Sequence, residues 1–406
     1  MFRRFFRRPN PIRCHIRNVS LFGKDYKEDH MTNLTPRIIN NLGNHKHRIP
    51  NHPIQIIKNE IYKFFDSKTG ITFAKFEDLN PVVTVEQNFD SVLIPKDHVS
   101  REKKDNYYIN EDTLLRAHTS AHQVELLRKK ESTFLCCGDV YRRDTMDRSH
   151  YPIFHQMEGV RLFSEEELGI PLFQDNKQRT ESCQEHYSLE AVEKVENELK
   201  ITLEGLVKHL FGEDVQYRWM DEYFPFTHPS FEIEVFYEGD WLEILGCGIM
   251  EYQVLVNGCS EDKIGWAFGL GLERLAMRLF DINDIRLFWK SEVVLDQFQS
   301  FNGDFRQFKF VLPERKIEPA KFDLAFWIPD GFHEHDFYDI ARNIDVDDAI
   351  ENVELIDVFS HPKTGKTSHC YRTYYRGALK GLQFKDVEHI DTAIRAVLAE
   401  QGAGLR

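Results

Sequence analysis

Gly138-Asp139-Val140-Tyr141-Arg142-Arg143-Asp144 is followed, after nine intervening residues, by Phe154-His155-Gln156-Met157-Glu158-Gly159. Strand-like runs over 133–140 and 154–163 flank a charged loop, so the segment reads as a hairpin of an antiparallel sheet. Arg142 ends the first strand and points at whatever the sheet face binds. Gln156 and Glu158 are two apart and project from one face of the returning strand. A buried carboxylate beside an amide needs a cationic or donor-rich partner, and a ligand ammonium would serve. The alternative is the solvated face of an ordinary hairpin. It accounts for Arg143 and Asp144 but not for the aromatic neighbours Phe154 and Phe163.

Three further segments carry chemistry. Phe268-Gly269-Leu270-Gly271-Leu272-Glu273-Arg274 sets two glycines ahead of a helix start. A dinucleotide fingerprint would have glycine where Arg274 stands; here a guanidinium follows the glycines and is able to grip a phosphate bidentately. A glycine-bearing turn with a surface arginine is the other reading. In Leu115-Arg116-Ala117-His118-Thr119-Ser120-Ala121-His122-Gln123, Ser120 could cap a helix. The density of His118, Ser120, His122 and Gln123 exceeds what a cap needs, and no carboxylate pattern accompanies the histidines to make a metal site. Phe224 and Phe226 are either core or the walls of an apolar pocket floored by Gly246 and Gly248, since strand glycines often mark close ligand approach.

Around these segments the chain is 406 residues long, 41% hydrophobic and 29% charged, enough for two or three domains with sizeable cores. No apolar run is long enough to span a membrane. Seven cysteines, an odd number with no C-x-x-C pair, argue against a disulfide scaffold and a zinc ribbon. The net charge of -14 restricts any nucleic-acid contact to local patches. The first 24 residues carry Arg3, Arg4, Arg7, Arg8, Arg13, Arg17 and Lys24 with no acid, which reads as a mitochondrial transit peptide. Helical periodicity follows Pro53 and recurs over 187–210, beside the strand-like runs; together they predict an α+β domain, an antiparallel sheet flanked by helices. After a break near 299–303, the order strand 308–312, strand 322–328, helix 336–344 capped by Asp336, strands 353–359 and 368–375, and helix 387–398 predicts a C-terminal ferredoxin-like α/β sandwich. The expected divisions are 1–30 transit peptide and flexible N-terminus, 31–298 main domain, 299–312 linker and 313–406 sandwich.

The four segments, in this order, resemble the class II aminoacyl-tRNA synthetases, and more narrowly the mitochondrial-type phenylalanyl-tRNA synthetases. Pro81, Asn88-Phe89-Asp90 and Pro95 resemble motif 1, Tyr141 to Asp144 motif 2, and Gly269 to Arg274 motif 3. The run Phe224-Pro225-Phe226-Thr227-His228-Pro229-Ser230 and the Gly246/Gly248 strand resemble the phenylalanine-specific stretch. The tail, with His361-Pro362-Lys363-Thr364 and Ser368-His369-Cys370-Tyr371-Arg372, resembles that family's ferredoxin-fold anticodon-binding domain.

The resemblance implies a single-chain, monomeric ligase that joins L-phenylalanine to mitochondrial tRNA(Phe) in the matrix, using ATP and Mg2+, with no membrane and no obligate protein partner. It implies that Arg142 holds the α-phosphate and Arg274 the γ-phosphate of a bent ATP, that Phe268 stacks on adenine, and that Glu243 meets the nucleotide or its metal. Ser149, His150 and Tyr151 complete the nucleotide site. His118, Ser120, Gln156 and Glu158 hold the amino-acid ammonium, with Ala121, His122, Gln123 and Met157 around them, and Phe224 and Phe226 pack edge-to-face on the substrate ring. Residues 358–385 hold six cations and no acid, with tyrosines interleaved. Of these, Lys363, Lys366, Arg372 and Arg376 are the expected tRNA contacts, since cations with aromatics suit phosphate neutralisation and base stacking. The other readings are a different adenylate-forming ligase on the same sheet, and a noncatalytic RNA-binding relative, for which a phosphate grip would be superfluous.

Overall fold

A computed structural model describes residues 18–174, 178–237, 239–299, 304–312, 318–377 and 382–406. The arginine-rich start up to Arg17 lies outside them. A hairpin of β1 (Asn18–Leu21) and β2 (Lys24–Lys27) opens the described chain. Leu21 is buried in the main core, so folded structure starts before residue 31. α1 (Pro36–Asn41) and α2 (Pro53–Asp66) follow. α2 begins where Pro53 sits in the first turn and the His52 side chain accepts the Ile54 N–H. Its Ile54, Ile57, Ile61 and Phe65 are buried, each worth about 1.5–3 kcal/mol.

After β3 (Ala74–Phe76), a small three-stranded sheet forms from β4 (Val82–Thr84), β5 (Tyr108–Asn110) and β6 (Thr113–Leu115), in the order β4-β6-β5. α3 (Gln123–Arg128) leads to the long hairpin β7 (Thr133–Tyr141) and β8 (Ile153–Phe163). α4 (Glu165–Leu168) and α5 (Leu189–Phe211) precede β9 (Tyr217–Phe224), β10 (Thr227–Tyr237) and β11 (Asp240–Met250). α6 (Tyr252–Asn257), β12 (Ile264–Gly271), α7 (Leu272–Leu279) and α8 (Ser291–Gln299) complete the main domain.

The main sheet has seven strands in the order β3-β7-β8-β12-β11-β10-β9. All pairs are antiparallel except β3 with β7. β10 alternates as expected, with Phe231, Ile233 and Val235 buried and Glu232 and Glu234 half-exposed. α5, capped by Ser188, lays Val192, Val195, Leu199, Leu203 and Leu206 on the back of this sheet against β11 and β12, leaving the front face for the site.

The C-terminal unit comprises β13 (Ala320–Trp327), α9 (Glu334–Ile344), β14 (Ile350–Ser360), β15 (Thr367–Tyr375), α10 (Phe384–Glu400) and the short β16 (Gly404–Leu405). Its strand order β14-β15-β13-β16 is that of a ferredoxin-like sandwich. Two expectations need correcting. Residues 308–312 form no strand; Phe305 and Phe310 instead sink into the main core, so part of the expected linker is packed. Asp336 is not the cap of α9: His333 is, and Asp336 accepts the His333 N–H from the third helical position.

Candidate active site

Strand register decides which residues face the front. Directly opposed residues of antiparallel strands share a face. Glu158 opposes Gly269, and Gly269 opposes Gly246. Gln156 opposes Gly271 in the same way. A carboxylate and an amide therefore stand beside a floor made of glycine. A Cβ placed on Gly269 or Gly271 would meet nothing within 4 Å, so both lie beneath open space. The expected floor of Gly246 and Gly248 is corrected accordingly. A Cβ on Gly246 would come 2.7 Å from Cζ of Phe224, whose ring already fills that niche, and one on Gly248 would strike the Pro229 carbonyl at 2.5 Å. Phe224 thus stands as a wall at one side of the Gly269 floor, stacked on Phe226 with centroids 5.8 Å apart and planes 10° apart.

Across that floor Glu158 is buried, and one of its oxygens accepts the Ser120 hydroxyl, with the Thr119 hydroxyl 3.4 Å away. Its other oxygen, Oε1, has no partner. Burial pushes its carboxyl up to about 7, against the opposing pull of Ser120, Gln123 and Thr119. His118 lies near Arg142 with neither ring nitrogen in a well-formed hydrogen bond, and burial holds it near 3, a neutral imidazole. A buried carboxylate oxygen left without a hydrogen-bond partner is a receptor for a donor-rich cation. The segment is held from behind: the Asn88 side chain accepts the Ala117 N–H at 3.0 Å.

The hairpin supplies the second half. Arg142 donates through Nε to the Ala117 carbonyl at 2.8 Å, and its guanidinium lies 5.2 Å over the Phe154 ring. Arg274, on the first turn of α7, pairs with Glu243 at 2.9 Å. Burial, opposed by Asp144, and then the like charge of Arg274 shift Arg142 downward, so the two guanidiniums sense each other. Both line one open cavity of about 1220 Å³, together with Ser149, His150, Tyr151, Phe154, Gln156 and Glu243. Asp147 accepts the N–H groups of Ser149 and His150 and orders that loop. The Asp147 carboxylate also meets the His150 ring, 2.8 Å from Nδ1, and this bond raises His150 toward the cationic form. Tyr151 stacks on Trp289 at 5.0 Å.

Three residues expected at the site lie elsewhere. Phe268 is buried on the back face, stacked 5.6 Å from Phe65, and Gly159 is the opposing residue that makes room for it. It is one position from Gly269, so strand alternation alone turns it away from the cleft. Met157, between Gln156 and Glu158, is turned into the core for the same reason. His122 has both ring nitrogens engaged, one with Arg116 and one with Glu125, and so serves the scaffold. Phe154 lines the cavity where Phe268 does not, and its period-two spacing from Gln156 and Glu158 signals this.

Two scaffold contacts escaped the sequence reading. Gly138 leaves the space that the Arg116 guanidinium fills: a Cβ there would lie 2.1 Å from it. Arg116 donates to the backbone carbonyl and carboxylate of Asp139, tying the 115–123 segment to β7. Glu273 accepts the His155 N–H at 2.7 Å and meets the His155 ring at 2.7 Å. This joins β8 to α7 and sets Arg274 across from Arg142.

The acidic groups suit a magnesium ion held mainly by phosphates. Glu243 stands at the cavity, and Glu232 is raised by burial and by Glu243 beside it.

The expected tRNA contacts divide. Lys363 and Lys366 are exposed on the turn between β14 and β15. Arg372 is in a bidentate pair with Asp323, at 2.8 and 2.7 Å. Arg376 is not on the outer patch: it lines the main cavity and pairs with Glu351 at 3.7 Å. The open sheet face also carries Trp327 and Phe359, 6.1 Å apart, with the Arg406 guanidinium over both.

Comparison with known proteins agrees with this geometry. Residues 39–169 and 184–298 match the tRNA synthetases class II core domain (F), and residues 316–406 match the ferredoxin-fold anticodon binding domain. The chain is 47% identical over 393 residues to the mitochondrial phenylalanine–tRNA ligase of Mus musculus, covering 93% of this chain and 86% of the relative. It is 48% identical over 370 residues to the chloroplastic/mitochondrial phenylalanine–tRNA ligase of Arabidopsis thaliana, covering 91% and 81%. With the mitochondrial enzyme of Saccharomyces cerevisiae the figures are 36% over 448 residues, 95% and 94%. The chain therefore belongs to the class II aminoacyl-tRNA synthetases, within the mitochondrial phenylalanine–tRNA ligase family.

Proposed function

We propose that this chain activates L-phenylalanine with ATP and transfers the phenylalanyl group to the 3′-terminal ribose of tRNA(Phe) in the mitochondrial matrix. One observation carries the reading: two guanidiniums, Arg142 and Arg274, line a single cavity with Gln156 and the glycine floor of Gly269 and Gly271, and Gly269 is paired across the strands with Glu158, whose buried Oε1 has no hydrogen-bond partner. The substrate ammonium is received by Glu158 and Gln156, with Ser120 and the neutral His118 beside it. Its ring lies over Gly269 against Phe224 and Phe226. Adenine is placed on Phe154 rather than Phe268.

The α-carboxylate is already ionised at neutral pH, so the first step needs no general base. A carboxylate oxygen attacks the α-phosphorus, a P–O bond forms, and pyrophosphate leaves with the electrons of the broken bond. The protein's task is alignment and neutralisation of phosphate charge. Arg142 serves the α-phosphate and Arg274 the far end of the triphosphate. Magnesium, held by Glu243 and phosphate oxygens, would add Lewis-acid charge neutralisation when bound. In the second step the 2′-hydroxyl of the terminal ribose attacks the activated carbonyl and releases AMP.

The deciding experiment is ATP–pyrophosphate exchange with each amino acid in turn: phenylalanine should support it best. Arg142→Ala should lose about 3–4 kcal/mol of transition-state stabilisation, a hundredfold or more, with the fold retained. Near-normal exchange by that variant would remove Arg142 from this role.

A further inference from the structure

The loop between β7 and β8 carries Ser149, His150 and Tyr151, yet much of it is held by the C-terminal domain. Arg342 of α9 donates to the Asp144 carbonyl at 2.7 Å and to that of Thr145. The Val353 N–H of β14 donates to the Met146 carbonyl at 2.9 Å. The Met146 side chain is buried within the apolar core of the C-terminal domain, not its own. Arg143 pairs with Asp336 and Asp339 of α9, at 2.8 and 2.7 Å. Arg37 donates at once to the Tyr151 hydroxyl, at 2.8 Å, and to Asp348. From the other side Arg286 grips the carbonyls of Asp348, Ile350 and Arg376 at 2.9, 2.7 and 3.0 Å. The same domain closes one wall of the cavity with Glu351, Glu354, Tyr374 and Arg376.

Loops with few internal contacts take their order from what they pack on. Residues 147–150 make their own turn about Asp147, whereas 143–146 are fixed from α9 and β14 and Tyr151 is tied to the 345–348 turn only through Arg37. We infer that the C-terminal domain is a working part of the nucleotide site: docked as it is here, it sets the conformation of the 143–151 loop, with Arg342 and Met146 as positioning residues for adenylate formation. The inference rests on the reading of that loop as an ATP contact. It has a thermodynamic corollary. If docking strengthens nucleotide binding by some factor, nucleotide must strengthen docking by the same factor.

The test uses the full chain. Arg342→Gln and Met146→Ala should each raise KM for ATP in phenylalanine-dependent pyrophosphate exchange at least fivefold. KM for phenylalanine should stay within twofold, since Glu158 and Gly269 lie beyond the loop. Met146→Leu, which refills the apolar socket, should restore KM for ATP. The second arm needs no turnover: α,β-methylene-ATP with magnesium should slow amide hydrogen exchange of 334–353 in the wild-type chain, and less so in Arg342→Gln. Wild-type KM for ATP in Arg342→Gln and Met146→Ala, or exchange of 334–353 indifferent to the nucleotide, overturns the inference. A wild-type chain without phenylalanine-dependent exchange would instead overturn the activity proposed above, and the hydrogen-exchange arm would still decide this one.

Discussion

In the proposed reaction, substrate recognition turns on Glu158. It is buried, and its raised value near 7 reflects the cost of ionising without a cation beside Oε1. The sign of the pH effect follows. Its folded value lies above the ordinary 4.5, so between the two the folded state holds the extra proton. From this group alone, stability is greatest below about 4.5 and falls as pH rises through 7. Binding runs the other way, because an ammonium ligand needs the carboxylate. We expect kcat/KM for phenylalanine to rise with pH toward a plateau above 7. Glu158→Gln should abolish that limb and cost about 2–5 kcal/mol in kcat/KM for phenylalanine. A pH profile identical in the variant would show that another group titrates.

At the scale of the element, the β8–β12 pair separates chemistry from support by alternation. Gln156, Glu158, Gly269 and Gly271 take the front; Met157, Phe268 and Leu270 take the back, where Phe65 and the other core side chains receive them. Two substitutions should therefore part company. Phe268→Ala empties a core site and should cost about 3–5 kcal/mol in chemical denaturation, with KM for ATP unchanged in the folded protein. Phe154→Ala should raise KM for ATP severalfold with little loss of stability. The opposite pattern would return adenine to Phe268. That Arg142 and Arg274 belong to one cavity was legible from residue type and spacing. The strand character of 264–271 was not, because two glycines before a helix read as a turn until neighbouring strands supply the ladder.

At the scale of the whole molecule, two domains share one cavity, and the cations expected to meet tRNA have different lives. Lys363 and Lys366 stand exposed on a turn, Arg372 is engaged with Asp323, and Arg376 faces the nucleotide cavity. Neutralising Lys363 and Lys366 together as glutamines should reduce the slope of log K for tRNA against log salt by about 0.7–0.9 for each phosphate that no longer meets a cation. An unchanged slope would take that turn out of the interface. Arg376→Gln should leave the slope alone.

Hydrophobic period, glycine placement and charge type are local properties that survive without coordinates, and they pointed to an α+β domain with a ferredoxin-like tail; the ligase reading came from the resemblance of four ordered motifs to the class II synthetases. Which of two adjacent residues meets the ligand, as between Phe268 and Gly269, depended on strand register, a relation between segments more than a hundred residues apart for Glu158 and Gly269. The glycine floor of the cleft, the socket for Met146 and the inward turn of Arg376 likewise arise from packing between distant parts of the chain. Side-chain direction is settled by what lies across a face, and no window along the sequence contains that.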